Sequence, residues 1–493
     1  MRKPPVFRLV PAIVGLGILA SSSAGAPAPG GDPLKIGSNL QPIVDGWLIE
    51  GMKGTQLKLH SPIPREVVFR FDAPWEGGQS AYVTLLQDGG KFRMYYRGGG
   101  DLGRECTCLA ESTDGIRWMR PSLGLFEHNG SKKNNIIWMG KRKAYDECHN
   151  FSPFVDANPA APASQRYKAV TLARPQAREE DRRNVLIALV SPDGIHWKHL
   201  REEPIITQGA FDSHNTAFWD TVAKQYVCYS RDSQQGKKSI NRATSPDFLH
   251  WSRAELLDFG GTPIEHFYTN GIVPYFRAPY VYLGLPMRFV HPKDRDRIGL
   301  EQRKTDGFSD AVFMSSHDGL HWNRPFMEAW IRPGLDPKNW GGAHGNQTPA
   351  WGILQTAPDE ISVYWAEHYD NYPAKEITPQ LRRGTLRLDG FVSVNAPYAG
   401  GEFVTKPLLF DGRKLTLNVS TSAVGSVKVE IQDAGGKPIT GFAAEDCIEI
   451  WGDEIARTVA WKGGTDVSKL AGRPVRLRFV MKDADIYAFR FVP

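Results

Sequence analysis

The chain reads as an all-β protein, a five-bladed β-propeller followed by a small C-terminal β-sandwich. Three observations predict this: a hairpin motif that recurs four times, short alternating strands between its copies, and no long run with helical amphipathic spacing. With 493 residues there is room for two or three domains, and 49 Gly, 35 Pro and 14 Trp describe a packed, turn-rich chain rather than a disordered one or a coiled coil.

The N-terminus carries Arg2, Lys3 and Arg8, an apolar run from Leu9 to Ala20, and then Ala24-Gly25-Ala26. That order of charge, apolar stretch and small residues predicts a secretory signal peptide over residues 1–26, and hence a secreted or periplasmic protein. The run is too short to span a membrane and no later stretch is apolar for long enough, so no membrane span is expected.

Residues 27–400 carry the repeat. Its copies are Ser112-Thr113-Asp114-Gly115-Ile116-Arg117-Trp118, Ser191-Pro192-Asp193-Gly194-Ile195-His196-Trp197, Ser245-Pro246-Asp247-Phe248-Leu249-His250-Trp251 and Ser316-His317-Asp318-Gly319-Leu320-His321-Trp322. Asp-Gly makes a tight turn, Ser bonds the turn's backbone, and Trp packs the returning strand against the next unit. The tryptophans stand 54 to 79 residues apart, enough for one four-stranded unit each. Strands are expected at Tyr82–Leu86, Phe92–Tyr96, Gln225–Tyr229, Tyr280–Leu285 and Glu360–Trp365. One further unit near residues 345–395 lacks the motif and brings the count to five. Residues 401–493 change texture: Leu415–Val419, Val427–Gln432 and Val475–Val480 alternate cleanly between turns, which predicts the sandwich.

Formal net charge is +6 with Lys and Arg scattered along the chain, so no nucleic-acid partner is expected. Five cysteines (Cys106, Cys108, Cys148, Cys228 and Cys447) are too few and too oddly counted for a disulfide framework, and no C-x-x-C pair suggests a metal. Neither a metal nor another cofactor is expected.

In a propeller the innermost strands line one central funnel, so polar residues that open them converge. The candidate segments are Trp75-Glu76 through Tyr82, then Asp146-Glu147-Cys148-His149-Asn150, Phe211-Asp212-Ser213-His214-Asn215, Glu265-His266-Phe267-Tyr268-Thr269-Asn270, and His344-Gly345-Asn346-Gln347. Carboxylates gathered in a cleft push one another's pKa apart, which suits one to act as acid and another as base or nucleophile. Glycoside hydrolysis uses such a pair. Arg97, ending Tyr95-Tyr96-Arg97 before a glycine loop, can grip an anionic group. Glu367-His368 can form a wall of the fifth unit, and Trp75, Tyr82, Trp219, Tyr268 and Trp340 can stack on sugar faces.

The hairpin motifs, the acids spread over successive inner strands and the trailing sandwich resemble family 32 and family 43 glycoside hydrolases. That resemblance implies a carbohydrate substrate and three acids on three blades: a nucleophile or base, a pKa-tuning Asp and a Glu general acid. It puts Asp212 in the second role and Glu265 in the third, and Arg231-Asp232 resembles a pair that grips sugar hydroxyls. The family 32 nucleophile motif W-M-N-D-P-N-G is absent, which leaves Asp45, Glu76, Asp146 and Glu147 as candidates for the first acid. The predicted site is therefore Glu265, Asp212 and Glu147 as catalytic groups. Around them Asp45, Arg97, His149, Asn150, His214, Asn215, Arg231, Asp232, His266, Tyr268, Asn270, His344 and Asn346 would bind substrate. A non-catalytic carbohydrate-binding propeller is the alternative. A sialidase would require a longer hairpin box and three converging arginines, and a phosphorylase a phosphate site of several Arg, Lys and His.

Overall fold

The computed structural model describes residues 32–99, 105–140, 145–175, 183–291, 307–340, 346–369 and 378–493. Residues 1–26, where a signal peptide is expected, and His344 lie outside the described residues. Within them the protein is all-β, with three short 3-10 turns and no α-helix.

Three four-stranded antiparallel sheets come first. They are Ala81–Asp88, Lys91–Gly98, Cys106–Ser112 and Ile136–Trp138; then Tyr145–Val155, Tyr167–Pro175, Val185–Ser191 and Lys198–His199; then Thr216–Asp220, Gln225–Gln234, Lys237–Ser245 and Glu255–Leu256. The next segment folds as two three-stranded sheets in which each strand of one continues into the other: His266–Phe267 into Ile272–Tyr275, Ala278–Gly284 into Met287–Val290, and Phe308–Ala311 into Met314–Ser316. Gly271, at φ +55°, sits where the first of these strands breaks, and a Cβ there would lie 2.4 Å from the Leu285 carbonyl. The last sheet of the series joins Thr348–Pro349, Leu354–Ala357, Glu360–Glu367 and Gln380–Arg387. Its outer strand is Ile63–Arg70, which precedes the first sheet in the chain and ties the two ends of the series together.

The innermost strands meet. Thr84 of the first sheet lies 3.1 Å from Nε2 of His214 in the third and 3.4 Å from the hydroxyl of Ser152 in the second. Trp351, after the first strand of the last sheet, accepts from the Leu85 N–H at 2.7 Å and donates its indole N–H to the Ile272 carbonyl at 2.6 Å.

All four hairpin motifs close identically. Ser Oγ accepts from two turn N–H groups, Asp Oδ1 accepts from the next two, and the Trp indole donates back to the carbonyl of the third turn residue, for example Trp118 to Gly115 at 3.0 Å. Two of the tryptophans pack edge-on against the neighbouring sheet, Trp118 on Tyr364 and Trp322 on Tyr229, at ring-centre distances of 6.4 and 6.3 Å, and tyrosine hydrogen bonds add to that contact. Tyr364, Tyr95 and Tyr229 of the preceding sheets donate to the same carbonyls of Gly115, Gly194 and Gly319 at 2.8, 3.1 and 2.8 Å. The third copy puts Phe248 in the left-handed position at φ +69°, and Phe154 packs against its ring instead.

The C-terminal part departs from the predicted boundaries. Residues 34–59, assigned by sequence to the propeller, pair with C-terminal strands in one ten-stranded sheet, as does Val392–Ala396. Two long strands, Lys414–Asp433 and Val475–Val492, carry that sheet. Its inner face is apolar, with Phe403 stacked on Phe479 and Phe410 on Phe491. The same core runs on into Tyr275, Phe313, Trp330 and Phe391, so the sheet is fused to the fourth and fifth members of the series by apolar burial.

Candidate functional site

His149, on the first strand of the second sheet, stands between two carboxylates. Nδ1 is 2.9 Å from both oxygens of Glu105, and Nε2 is 3.1 Å from Oδ1 of Asp212. Three arginines close on this row. Arg174 places Nη2 3.1 Å from Oδ1 of Asp212, and Arg231 places Nη2 3.5 Å from Oδ2. Arg97 lies behind, 3.8 Å from Glu105, and is almost fully buried. It donates to the Gln79 carbonyl at 2.9 and 3.1 Å, to Asn150 Oδ1 at 3.0 Å and to the Tyr369 hydroxyl at 2.5 Å. Its guanidinium also sits 4.5 Å above the Tyr82 ring.

Local backbone geometry presents these groups. Phe211 is buried in the left-handed region at φ +54°, and tight N–H bonds from Asp212 to Ala210 and from Ser213 to Phe211 lift Asp212 to the surface, where its side chain is 44% exposed. The Asn215 side chain closes that turn by donating to the Phe211 and Ser213 carbonyls at 2.7 and 3.2 Å. Tyr82 and Gln347 are likewise left-handed, each at or beside the start of an inner strand, and so is Asn150, at a register shift in the middle of Tyr145–Val155.

Both carboxylates of the row are held ionised. For Asp212 the hydrogen bond from His149 is the largest influence. With Arg231 and Arg174 it holds the carboxyl well below its ordinary value, against the opposing pull of burial. For Glu105 burial pushes upward, and the bond to His149 with the charges of Arg97 and Arg174 overrides it, bringing the pKa to about 2. The expected splitting between a protonated and an ionised acid therefore does not occur in this row. His214, buried beside Thr84 and repelled by Arg97, is pushed down to about 3 and stays neutral.

The structure brings Arg97, His149, Asn150, Asp212, His214, Arg231 and Tyr268 together, and it places the other two predicted catalytic acids elsewhere. Strand alternation puts Glu265 on the face opposite His266 and Tyr268, with Phe267. There it accepts from Arg288 at 3.1 Å and from Arg324, whose guanidinium covers the Phe267 ring at 4.8 Å. Glu147 is fully buried and bonds His199 at 2.7 Å, because the register shifts between Asp146 and His149 turn the two side chains apart. Asp45 ties the N-terminal segment to the fourth unit, bonding Ser315 at 2.6 Å and Asn323 at 3.0 Å beside His317.

The remaining candidates support neighbours. Glu76 bonds Tyr96 and Arg120, Glu367 bonds Arg382 and Gln380, and His368 pairs with Asp336. Asn270 pins Thr216 and the His214 carbonyl, Asp232 holds Asn241, and Asn346 fixes the Tyr369 N–H at 2.6 Å. His266 accepts from the Lys238 N–H. Trp75, Trp219 and Trp340 are occupied by Asn135, Tyr226 and the Gly334 carbonyl within their own surroundings.

Glu105, Arg174 and Lys238 were not predicted. A signal for the second was present: Tyr96-Arg97, Ala173-Arg174, Ser230-Arg231 and Met287-Arg288 place an arginine at or near the end of the second strand of four successive units.

No family model and no curated protein matches the chain. Among solved structures it is similar to a glycosyl hydrolase from Bacteroides ovatus, with a TM-score of 0.42, 14% identity, and 72% of this chain and 99% of that one covered. It is similar also to an N-acetylgalactosamine deacetylase from F. plautii, with a TM-score of 0.44, 10% identity and coverage of 67% and 96%. A fructofuranosidase from Schwanniomyces occidentalis has a TM-score of 0.42 and 11% identity, covering 93% of this chain and 99% of that one.

Proposed function

We propose that this chain is an exported enzyme of the glycoside hydrolase type, with its site in the funnel of a five-bladed β-propeller. Convergence of the inner strands on Thr84 and Trp351, and the closing strand Ile63–Arg70, support the ring. The observation that carries the function is Asp212: an ionised, half-open carboxylate held by His149 of the second sheet and by two arginines from the second and third. Such a group, kept ionised, is fitted to act as nucleophile toward a sugar or to stabilise the positive charge of its transition state.

One observation favours the second reading, a carbohydrate-binding propeller without catalysis. Glu105 and Asp212 are both held ionised, so neither is poised to protonate a leaving oxygen. The test is sugar release from a panel of polysaccharides and aryl glycosides by the mature protein and by Asp212→Asn. Release that falls by about a hundredfold or more in the variant, the scale of a lost catalytic carboxylate, supports hydrolysis. Binding without release in both proteins supports the second reading.

A further inference from the structure

The charges around Asp212 do not balance. Arg174, Arg231 and Lys238 surround one carboxylate, and among the described residues no carboxylate pairs with Lys238. Arg231 and Lys238 stand on adjacent antiparallel strands, where Arg231 pairs with Ile240 and Ser233 with Lys238, so both side chains project from the same face. They meet over one ring: Arg231 Cζ is 5.2 Å and Lys238 Nζ 5.3 Å from the centre of Tyr268, and Nζ is 4.9 Å from Phe289. Burial and the charge of Arg231 together outweigh the attraction of Asp212 and depress the Lys238 ammonium, which has no carboxylate within ion-pair distance among the described residues. Arg231 Nη1 is buried and makes no hydrogen bond.

We propose that the sugar taken by this site is anionic, and that its carboxylate or sulfate group lies against Lys238 and Arg231 over the Tyr268 ring. The inference rests on the carbohydrate reading above and adds the substrate class. An anion there would place a counter-charge at ion-pair distance from Lys238, which Asp212 does not, and would lie beside the Arg231 guanidinium. A neutral sugar would bring no such charge.

The experiment is calorimetric titration of the mature protein with trigalacturonate, with a sulfated galactose trisaccharide and with neutral galactotriose. One charged probe should bind at least about tenfold more tightly than the neutral one, a preference that shrinks as salt is raised. Lys238→Gln should erase the preference, with a circular dichroism spectrum and Tm matching the wild type showing that the variant is folded. Lys238→Arg should restore it. Which charged probe is preferred tells carboxylate from sulfate. Equal binding of all three, or a preference that survives Lys238→Gln, overturns the proposal. Equal hydrolysis of neutral and charged glycans overturns this inference alone. Failure of every glycan to bind overturns the carbohydrate reading with it.

Discussion

Replacing Glu105 by Gln tests whether the row from Glu105 through His149 to Asp212 is a real electrostatic unit. The Glu105 side chain is only 17% exposed, and its pKa falls from an ordinary 4.5 to about 2. A depression of that size is worth about 3 kcal/mol of folding stability at neutral pH. Because the folded value is the lower one, the stabilisation is complete above about pH 4.5 and is lost as the pH falls toward about 2. Gln keeps the shape and one acceptor but removes the charge facing His149 and Arg97, so the variant should lose about 2–3 kcal/mol at pH 7. Urea unfolding followed by tryptophan fluorescence at pH 7, 5 and 3 gives the comparison. The gap between wild type and variant should be full at pH 7 and 5 and reduced to less than half at pH 3. Equal midpoints at pH 7, or a gap unchanged at pH 3, would refute the reasoning.

Three further outcomes follow from the same structure. His214 is buried neutral with its pKa at about 3, so acid unfolding should steepen by about 1.4 kcal/mol per pH unit between pH 6 and 4, and His214→Gln should flatten that window. Gly319→Ala places a Cβ 2.6 Å from the Tyr229 hydroxyl at a φ of +77°, and should cost about 2–4 kcal/mol, read as a drop of several degrees in Tm. Glu265→Gln weakens the carboxylate between Arg288 and Arg324 and should lower thermal stability, while glycan binding at the Asp212 site stays within about twofold of wild type.

Much of the β-architecture was legible because turn chemistry is local. The bonds of Ser112, Asp114 and Gly115 all fall within seven consecutive residues, and the same pattern at Ser191, Ser245 and Ser316 folds the same way. What joins one sheet to the next was legible only in part: Trp118 and Trp322 pack on the neighbouring sheet as the motif suggests, whereas Tyr95, Tyr229 and Tyr364 reach glycines 90 to 249 residues away and nothing in their neighbourhoods announces it. The membership of residues 34–59 in the C-terminal sheet was hidden for the same reason. A strand such as Gln56–Leu59 shows its own alternation but not the identity of its partner, Val392–Ala396.

The site divides along the same line. Asp212, His149 and Arg97 were found by asking which residues open inner strands or end their neighbours, a question of position along one strand. Glu147 and Glu265 satisfied that question and still point elsewhere. At Glu147 a register shift intervenes, and at Glu265 the alternation of a two-residue strand selects the opposite face. Proximity to a strand end places a Cα near the site, whereas pleat parity decides where the carboxylate goes, and parity is lost wherever a bulge or a break occurs. The arginines escape this uncertainty. Their long side chains reach past the strand end, and the recurrence of Arg97, Arg174, Arg231 and Arg288 in four units repeats one geometric solution. Three of them converge on a single row of carboxylates, and the fourth, Arg288, turns to Glu265 and Asp310 in its own unit. Read as a repeat, the arginines would have marked the site as cationic before any carboxylate was assigned a role. That cationic character is the property from which the anionic substrate follows.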